Sequence, residues 1–574
     1  MAVFVGSNSN DSRIRSNRVG FAASTANPGS PSEGDAYYNS GDGKLNVYDG
    51  SSWNALGGNA GSLSGTVSGT LSDGQAVIVK SDGNLAGVVT SEVGIATGSR
   101  VVFTGTNRPE YISSVFDPDT NQIVMCYKDK DDNNKIKAIV GRISNGSLTG
   151  LGTASYVYPD AAGDGYRGEY TWMTYDPEVR RVAILFKMGT STYSNAGVQS
   201  GKIVGNSIVF EQRAGLRELD RSGSTWCRSV YIPDQKCHVG IFYSRNAAKG
   251  VGCVYKLIEG GGGFLRDRDP EGGAVRYNFS TGEVSHTGLC YDSENKRIVV
   301  SYRDHNDSNK GKVVVGTVDA DTFSISFGTP VLLNNQSTEH TTAVYDPISK
   351  RVVISYRNAG NSGTGEAATA VVDPSDNSIT VGNSRYIDGI SPGSGSPADF
   401  LASIYDPISK RVIIFYADND DSLHGYVSVG TVIPHATNVM LDTMTFTKHK
   451  VNDNRNYGSQ NGLSLTVDTT QKKVCLVSED YGTSNEYGSV RTFNPTYAGS
   501  NLEEHNFLGF SAGAYTNGQT ASVQIEGTID DAQSGLTTGT KHYVQSDGSL
   551  SVTKGFPVVD AGTALSATEI AVKG

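Results

Sequence analysis

The chain has 574 residues with a formal net charge of −11, and its 69 glycines outnumber its 17 prolines about fourfold. Charge is spread along the chain without a basic block, which excludes the clustered Lys/Arg footprint of a nucleic-acid binder. No run approaches the ~20 consecutive apolar residues of a membrane span, and the start Met1-Ala-Val-Phe-Val-Gly6 lacks a signal-peptide pattern, so neither membrane insertion nor Sec export is expected.

Residues 1–20 are polar and unpatterned and read as an arm that orders on a partner. Residues 21–95 read as an N-terminal hairpin module for particle attachment. Gly34 to Trp53 holds two alternating strands joined at Asp42-Gly43, with a second turn at Asp49-Gly50. Gly57 to Gly69 reads as a Gly/Ser/Thr linker, and Gly74 to Leu85 as a further hairpin turning at Asp82-Gly83. That hairpin has a twin at Gly539 to Leu550, turning at Ser546-Asp547-Gly548, so small β modules flank whatever lies between.

Residues 96–495 are repetitive. Thr341-Thr-Ala-Val-Tyr-Asp-Pro-Ile-Ser-Lys-Arg-Val-Val-Ile-Ser-Tyr356 returns almost unchanged at Leu401-Ala-Ser-Ile-Tyr-Asp-Pro-Ile-Ser-Lys-Arg-Val-Ile-Ile-Phe-Tyr416. Looser copies place a marker at Asp117, Asp176, Ile232, Asp292, Asp346, Asp406 and Asp468, spaced 54 to 62 residues apart. Each unit reads as four strands punctuated by Asp-Pro turns, as in Thr341–Tyr345, Arg351–Arg357, Glu366–Asp373 and Ser378–Tyr386. Seven such units predict an all-β fold: a seven-bladed β-propeller with four antiparallel strands per blade, flanked by the small N- and C-terminal β modules. A linear β-solenoid is the alternative. The seventh unit lacks a fourth strand, and Arg100 to Gly105 is expected to supply it, closing the ring and removing an exposed sheet edge. Residues 496–574 form the C-terminal module.

Six residues before each marker stand Tyr111, Tyr170, Trp226, His286, His340, Phe400 and Gly462, and just before these stand Glu110, Glu169, Thr225, Ser285, Glu339, Asp399 and Asn461. These positions open the innermost strand of every blade, so a closed ring gathers them at one mouth of the central channel. They read either as packing that plugs the channel or as a platform whose rings (Tyr111, Tyr170, Trp226, His286, His340, Phe400) and carboxylates (Glu110, Glu169, Glu339, Asp399) suit sugar hydroxyls. The regular placement argues against an enzyme, because catalysis needs one asymmetric constellation, and no P-loop, nucleophile elbow or zinc motif is present. Acidic loops at Asp129–Asn133, Asp304–Asp307 and Asp418–Asp421 lack the EF-hand register and read as solvated turns, so no metal or other cofactor is expected. The cysteines, Cys126, Cys227, Cys237, Cys253, Cys290 and Cys475, form no C-x-x-C pair and read as buried thiols.

The stretch Gly34-Asp-Ala-Tyr-Tyr38 with Tyr48-Asp-Gly-Ser-Ser-Trp53 resembles a hairpin common in tail-fibre and related virion proteins of tailed bacteriophages. The run Gly509 to Thr520, with Gly562 to Lys573, is similar to the C-terminal module of structural proteins in marine phages, cyanophages especially. The resemblance implies a virion component, assembled in the host cytoplasm, that contacts other virion proteins. Joined to a displayed disc, it implies a fibre or spike that attaches to a host-surface glycan or receptor. The alternatives are an architectural knob, collar or baseplate decoration and, less favoured, a polysaccharide depolymerase. Fibres of this kind are often trimeric, so a homotrimer is among the expectations.

Overall fold

The computed structural model describes residues 23–573 apart from short internal stretches, of which 159–166, 266–273 and 389–396 are the longest. The expected arm at 1–20 and the turn residues Asp42, Gly43 and Asp49 lie outside the described residues. Among those described there is no α-helix, only two 3-10 turns at Asn419–Asp421 and Val439–Leu441. The chain divides into two compact units, one spanning 93–497 and the other combining 1–92 with 498–574.

The unit at 93–497 is a β-propeller. Its innermost strands are Pro109–Asp117, Gly168–Asp176, Thr225–Ile232, Val284–Asp292, the C-terminal part of Val331–Asp346, Ala398–Asp406 and Leu463–Asp468. Each runs beside the next, and Leu463–Asp468 lies against Pro109–Asp117, so the array closes on itself. Outward from each inner strand the sheet continues antiparallel, as in Ala398–Asp406, Arg411–Asp418, His424–Ile433 and Thr443–Lys450. The outermost strand is broken in several sheets. Ser378–Val381 pairs with the end of Thr364–Asp373, and Arg385–Tyr386 pairs near its start, with Glu366 and Ala367.

The near-continuous apolar runs of the second strands follow from this stacking. Successive side chains of a strand point to opposite faces, and each sheet is covered on both faces by a neighbour. In Arg297–Asp304, Ile298, Val300 and Tyr302 enter the cluster shared with the preceding sheet, where Val239, Ile241 and Val254 meet them. Val299 enters the cluster shared with the following sheet, with Val352, Ile354 and Tyr356. A fully buried side chain of this size stabilises by ~1.5–3 kcal/mol, and the pattern repeats around the ring. One cluster joins Ile123 and Met125 of the first sheet to Phe103, Cys475, Val477 and Val490 of the last.

The repeat marker is a turn clamp. Asp346 is buried; its carboxylate accepts the Ile348 N–H at 2.9 Å and the Ser349 hydroxyl at 2.7 Å. Asp292 and Asp468 likewise accept N–H groups two and three residues on. The final turn residue, Lys350 in this copy, takes φ 54°. A short carboxylate that reaches its own turn amides explains why Asp recurs there.

The last sheet is completed as expected from the front of the array: Val101–Val102 pairs antiparallel with Glu486–Asn494, and the Phe103 N–H reaches the Gly488 carbonyl at 2.9 Å.

The second unit corrects two expectations. The supposed linker at 57–69 contains the strand Ser62–Thr66, which pairs with Thr520–Gln524. Its small polar residues suit an edge position, with Leu63 exposed and the following Val67 buried. The two flanking modules are also not separate. Phe507–Ser511 pairs with Ala76–Val79, and one core joins Ala76, Ile78 and Phe510 to Leu536, Val544 and Ile570. Strands too few to bury a core in either segment alone find their partners within the same chain. Both twin hairpins form, Ala76–Val79 with Leu85–Gly87 and Lys541–Val544 with Leu550–Ser551, with Gly83 and Gly548 at positive φ. All six cysteines are buried free thiols.

Candidate functional site

The six ring residues come together. Successive ring centroids lie 4.8 Å apart for Tyr111–Tyr170, 5.3 Å for Tyr170–Trp226, 4.5 Å for Trp226–His286, 5.1 Å for His286–His340 and 5.6 Å for His340–Phe400. They form an unbroken arc over six inner strands, and Gly462 brings no ring at the seventh. The arc has a backbone cause. The ladder between first and second strands slips at this point in all six sheets, between Glu110 and Ser113 in the first and between Asp399 and Ala402 in the last. At each slip the ring residue is left-handed, with φ between 50° and 59°. Bulky residues rarely adopt that conformation, which costs on the order of 1–3 kcal/mol. The bulge takes each ring out of the strand's alternation and lays it beside the ring of the next blade.

Bulging frees backbone carbonyls from the ladder, and hydroxyls one residue past the ring position answer them. Thr171 donates to the Tyr111 carbonyl, Thr287 to the Trp226 carbonyl at 2.8 Å, and Thr341 to the His286 carbonyl. Each bond ties a blade to its predecessor. Thr287→Val, isosteric at a fully buried position, is expected to lower stability by ~1–2 kcal/mol in a denaturant titration.

The carboxylates stand beside the arc, but they are already paired. Glu110 lies 2.7 Å from Lys128 and 3.2 Å from Lys130; Glu169 lies 2.8 Å from Lys187 and 3.5 Å from Lys128. With Lys130–Glu486 at 3.1 Å, charges alternate along one run. A second run goes Arg303, Glu339, Arg357, Asp399, with contacts of 2.9, 2.7 and 2.7 Å. The cause is register: Glu110, Glu169 and Glu339 sit opposite Lys128, Lys187 and Arg357 on the second strand. Burial pushes the Glu110 pKa up, but Lys128 and Lys130 outweigh it and leave it below the ordinary value. Burial wins at Asp399, which is raised despite Arg357 and with help from Glu339. Burial holds His286 near pKa 2 and His340 near 3, with nearby cationic side chains adding to it, and lifts Tyr170 to about 12. The His340 N–H donates to His286 Nδ1 at 3.0 Å, which fixes His286 as the neutral imidazole protonated on Nε2.

The acidic loops at the same end are not solvated turns. Asp129, Asp304 and Asp418 are buried, and the cation each loop holds is an ammonium. Lys137 reaches Asp129 at 2.9 Å and Asp132 at 2.6 Å, Lys312 reaches Asp304 and Asp307 at 3.0 Å each, and Lys448 reaches Asp418 at 2.6 Å. The signal was in the sequence as a recurring Lys-x-Lys, at Lys135/Lys137, Lys310/Lys312 and Lys448/Lys450. In the sheet between these, the cross-strand pair is instead Tyr356 and Glu366, and the buried Glu366 carboxylate accepts from Tyr356 and Asn358 at 2.9 Å each.

Below the arc the channel holds a cavity of about 590 Å³, lined by the inner strands from Tyr111 and Tyr170 down to Tyr231, Tyr291, Tyr345 and Tyr405.

No family model and no curated protein matches the chain. Among solved structures, the intramolecular trans-sialidase of Ruminococcus gnavus is similar at 10% identity and TM-score 0.39, over 69% of this chain and 96% of that one. The periplasmic gluconolactonase PpgL of Pseudomonas aeruginosa is similar at 15% identity and TM-score 0.37, over 68% and 97%, and the Dos1 propeller at 10% and 0.37, over 70% and 95%. Two of these three are enzymes by name. At such values nothing about the chemistry of this chain follows from theirs.

Proposed function

We propose that the protein is a structural component of a tailed-bacteriophage virion, a tail fibre or spike whose propeller attaches to a host-surface glycan. The end modules attach it to other virion proteins. The observation that carries the binding half is the arc of six contiguous rings bordered by two runs of alternating charges at one mouth of the ring. Ring faces and edges offer apolar area to sugar C–H groups, and the bordering charges offer hydrogen bonds to hydroxyls. The same pairing argues for a binding face over a hydrolase, because glycoside hydrolysis needs one protonated and one free carboxylate at a set separation, and here each acid faces a cation.

A second reading has its own support. Each ring's neighbours are other rings and each acid's partner is a base, so the arc is complete without a ligand and suits an architectural plug in a decoration protein. Tyr111, Tyr170 and Trp226 changed together to Ala separate the two. With the fold checked by circular dichroism, attachment predicts at least tenfold weaker retention on host cells or their extracted glycans. Unchanged retention would leave the architectural reading.

A further inference from the structure

The cavity below the arc contains one residue out of keeping with its surroundings. Two positions beyond the ring residue, the seven inner strands present Ser113, Trp172, Arg228, Gly288, Thr342, Ala402 and Ser464 to the cavity. Five of these seven are small, and their size opens the space that Arg228 and Trp172 face. Arg228 stands with its guanidinium carbon 4.4 Å from the Trp172 ring centroid, and one N–H donates to the Cys227 carbonyl at 2.9 Å. Among the described residues no carboxylate lies within ion-pair distance of it, although Lys128, Lys187, Arg303 and Arg357 at the mouth above are each paired with an acid. A guanidinium has five N–H donors, and a cation held in protein without a counter-charge is costly. The natural complement is an oxyanion that brings two acceptors in the plane of the fork.

We propose that the central cavity is a binding site for a small carboxylate-bearing ligand of monosaccharide size, its carboxylate seated on Arg228 beside the Trp172 face. The volume of about 590 Å³ is in the range of ordinary small-ligand sites. The ligand enters at the end opposite the ring arc, where the lining residues Pro233 and Pro347 are exposed. Three residues of strand, roughly 10 Å, separate Arg228 from the tyrosine at that end. The site is independent of the host-attachment reading, which concerns the other mouth.

The test is titration of the full chain with glucuronate, followed by tryptophan fluorescence and by calorimetry, with glucose as the uncharged counterpart and inorganic phosphate as the competing oxyanion. Glucuronate should give a saturable signal that glucose does not, and Arg228→Leu should weaken it at least tenfold. Ala402→Leu, which fills the same layer from across the channel without touching Arg228, should weaken it similarly and carries the test if the arginine variant does not fold. The proposal is overturned by no saturable glucuronate signal, by an equal response to glucose, by affinity unchanged in both variants, or by binding of phosphate alone.

Discussion

Stability of the propeller is expected to fall as pH drops from 6.5 to 5, with His340→Phe removing about one proton's worth of that slope. The sign follows from burial. An unfolded histidine titrates near 6.5, whereas His286 and His340 are held near 2 and 3 in the native ring. Their contribution is fully present above the unfolded value and is lost as pH falls, because the unfolded chain then binds protons that the native chain refuses. Each such group adds a slope of up to ~1.4 kcal/mol per pH unit. The buried His238, lowered by burial despite Asp176, and His449 act in the same direction. Among carboxylates, Glu110 loses its stabilisation only as pH falls below its ordinary range near 4.5, whereas Asp399, raised by burial, acts in the opposite direction to the histidines. The difference in slope between wild type and variant over this window, rather than the slope itself, therefore reports His340. His340→Phe keeps a ring where the next blade already carries Phe400, and leaves the backbone N–H that His286 accepts. Denaturant titrations at stepped pH read the slope directly. An identical slope in wild type and variant would show that the imidazole is not held neutral by the ring.

The propeller was legible because its rules are local and repeated. An Asp that clamps its own turn, a Pro that ends a ladder and a second strand buried on both faces each leave a mark of the right period, and Asp346 with Val352, Ile354 and Tyr356 carries all three. The column of rings was legible for the same reason, by counting back from the turn. Its backbone was not. Left-handed positions announce themselves through Gly or Asn, and nothing in Tyr, Trp, His or Phe signals φ near +50°. The bulge is enforced by the blade-to-blade stacking of the rings and by hydroxyls such as Thr287, which are contacts some sixty residues apart in sequence.

The same distance problem hid the rest. Ser62–Thr66 looks like a linker until Thr520–Gln524 is laid beside it, and no local pattern reports a partner more than 450 residues away. The carboxylates were placed correctly but given the wrong freedom, because their cations lie on the second strand and in adjacent blades, as Lys128 lies between Glu110 and Glu169. Arg228 carries no local signal, since an arginine inside an alternating strand reads as a solvent-facing residue. Only the alignment of all seven inner strands shows that its layer faces the cavity.

Arg100→Ala is expected to cost ~3–5 kcal/mol. The residue immediately precedes the strand that completes the last blade, and its guanidinium grips Asp480 with two bonds of 2.5 Å, Nε to Oδ2 and Nη2 to Oδ1. Asp480 is fully buried on Lys473–Tyr481 and otherwise accepts from the Ser489 hydroxyl at 2.8 Å. Removing the arginine strands that carboxylate in the interior, which is the costly way to break a buried pair. It also loosens the pairing of Val101–Val102 with Glu486–Asn494, reopening the sheet edge that ring closure covers. The double variant Arg100→Leu with Asp480→Leu should recover most of the loss, since an apolar pair in the same space leaves no charge unmatched. A double-mutant cycle on denaturation midpoints makes the comparison. If Arg100→Leu and Asp480→Leu were each mild and strictly additive in the double variant, the two residues would not be coupled, and the closure of the ring would depend on the apolar cluster of Phe103, Met125 and Val477 instead.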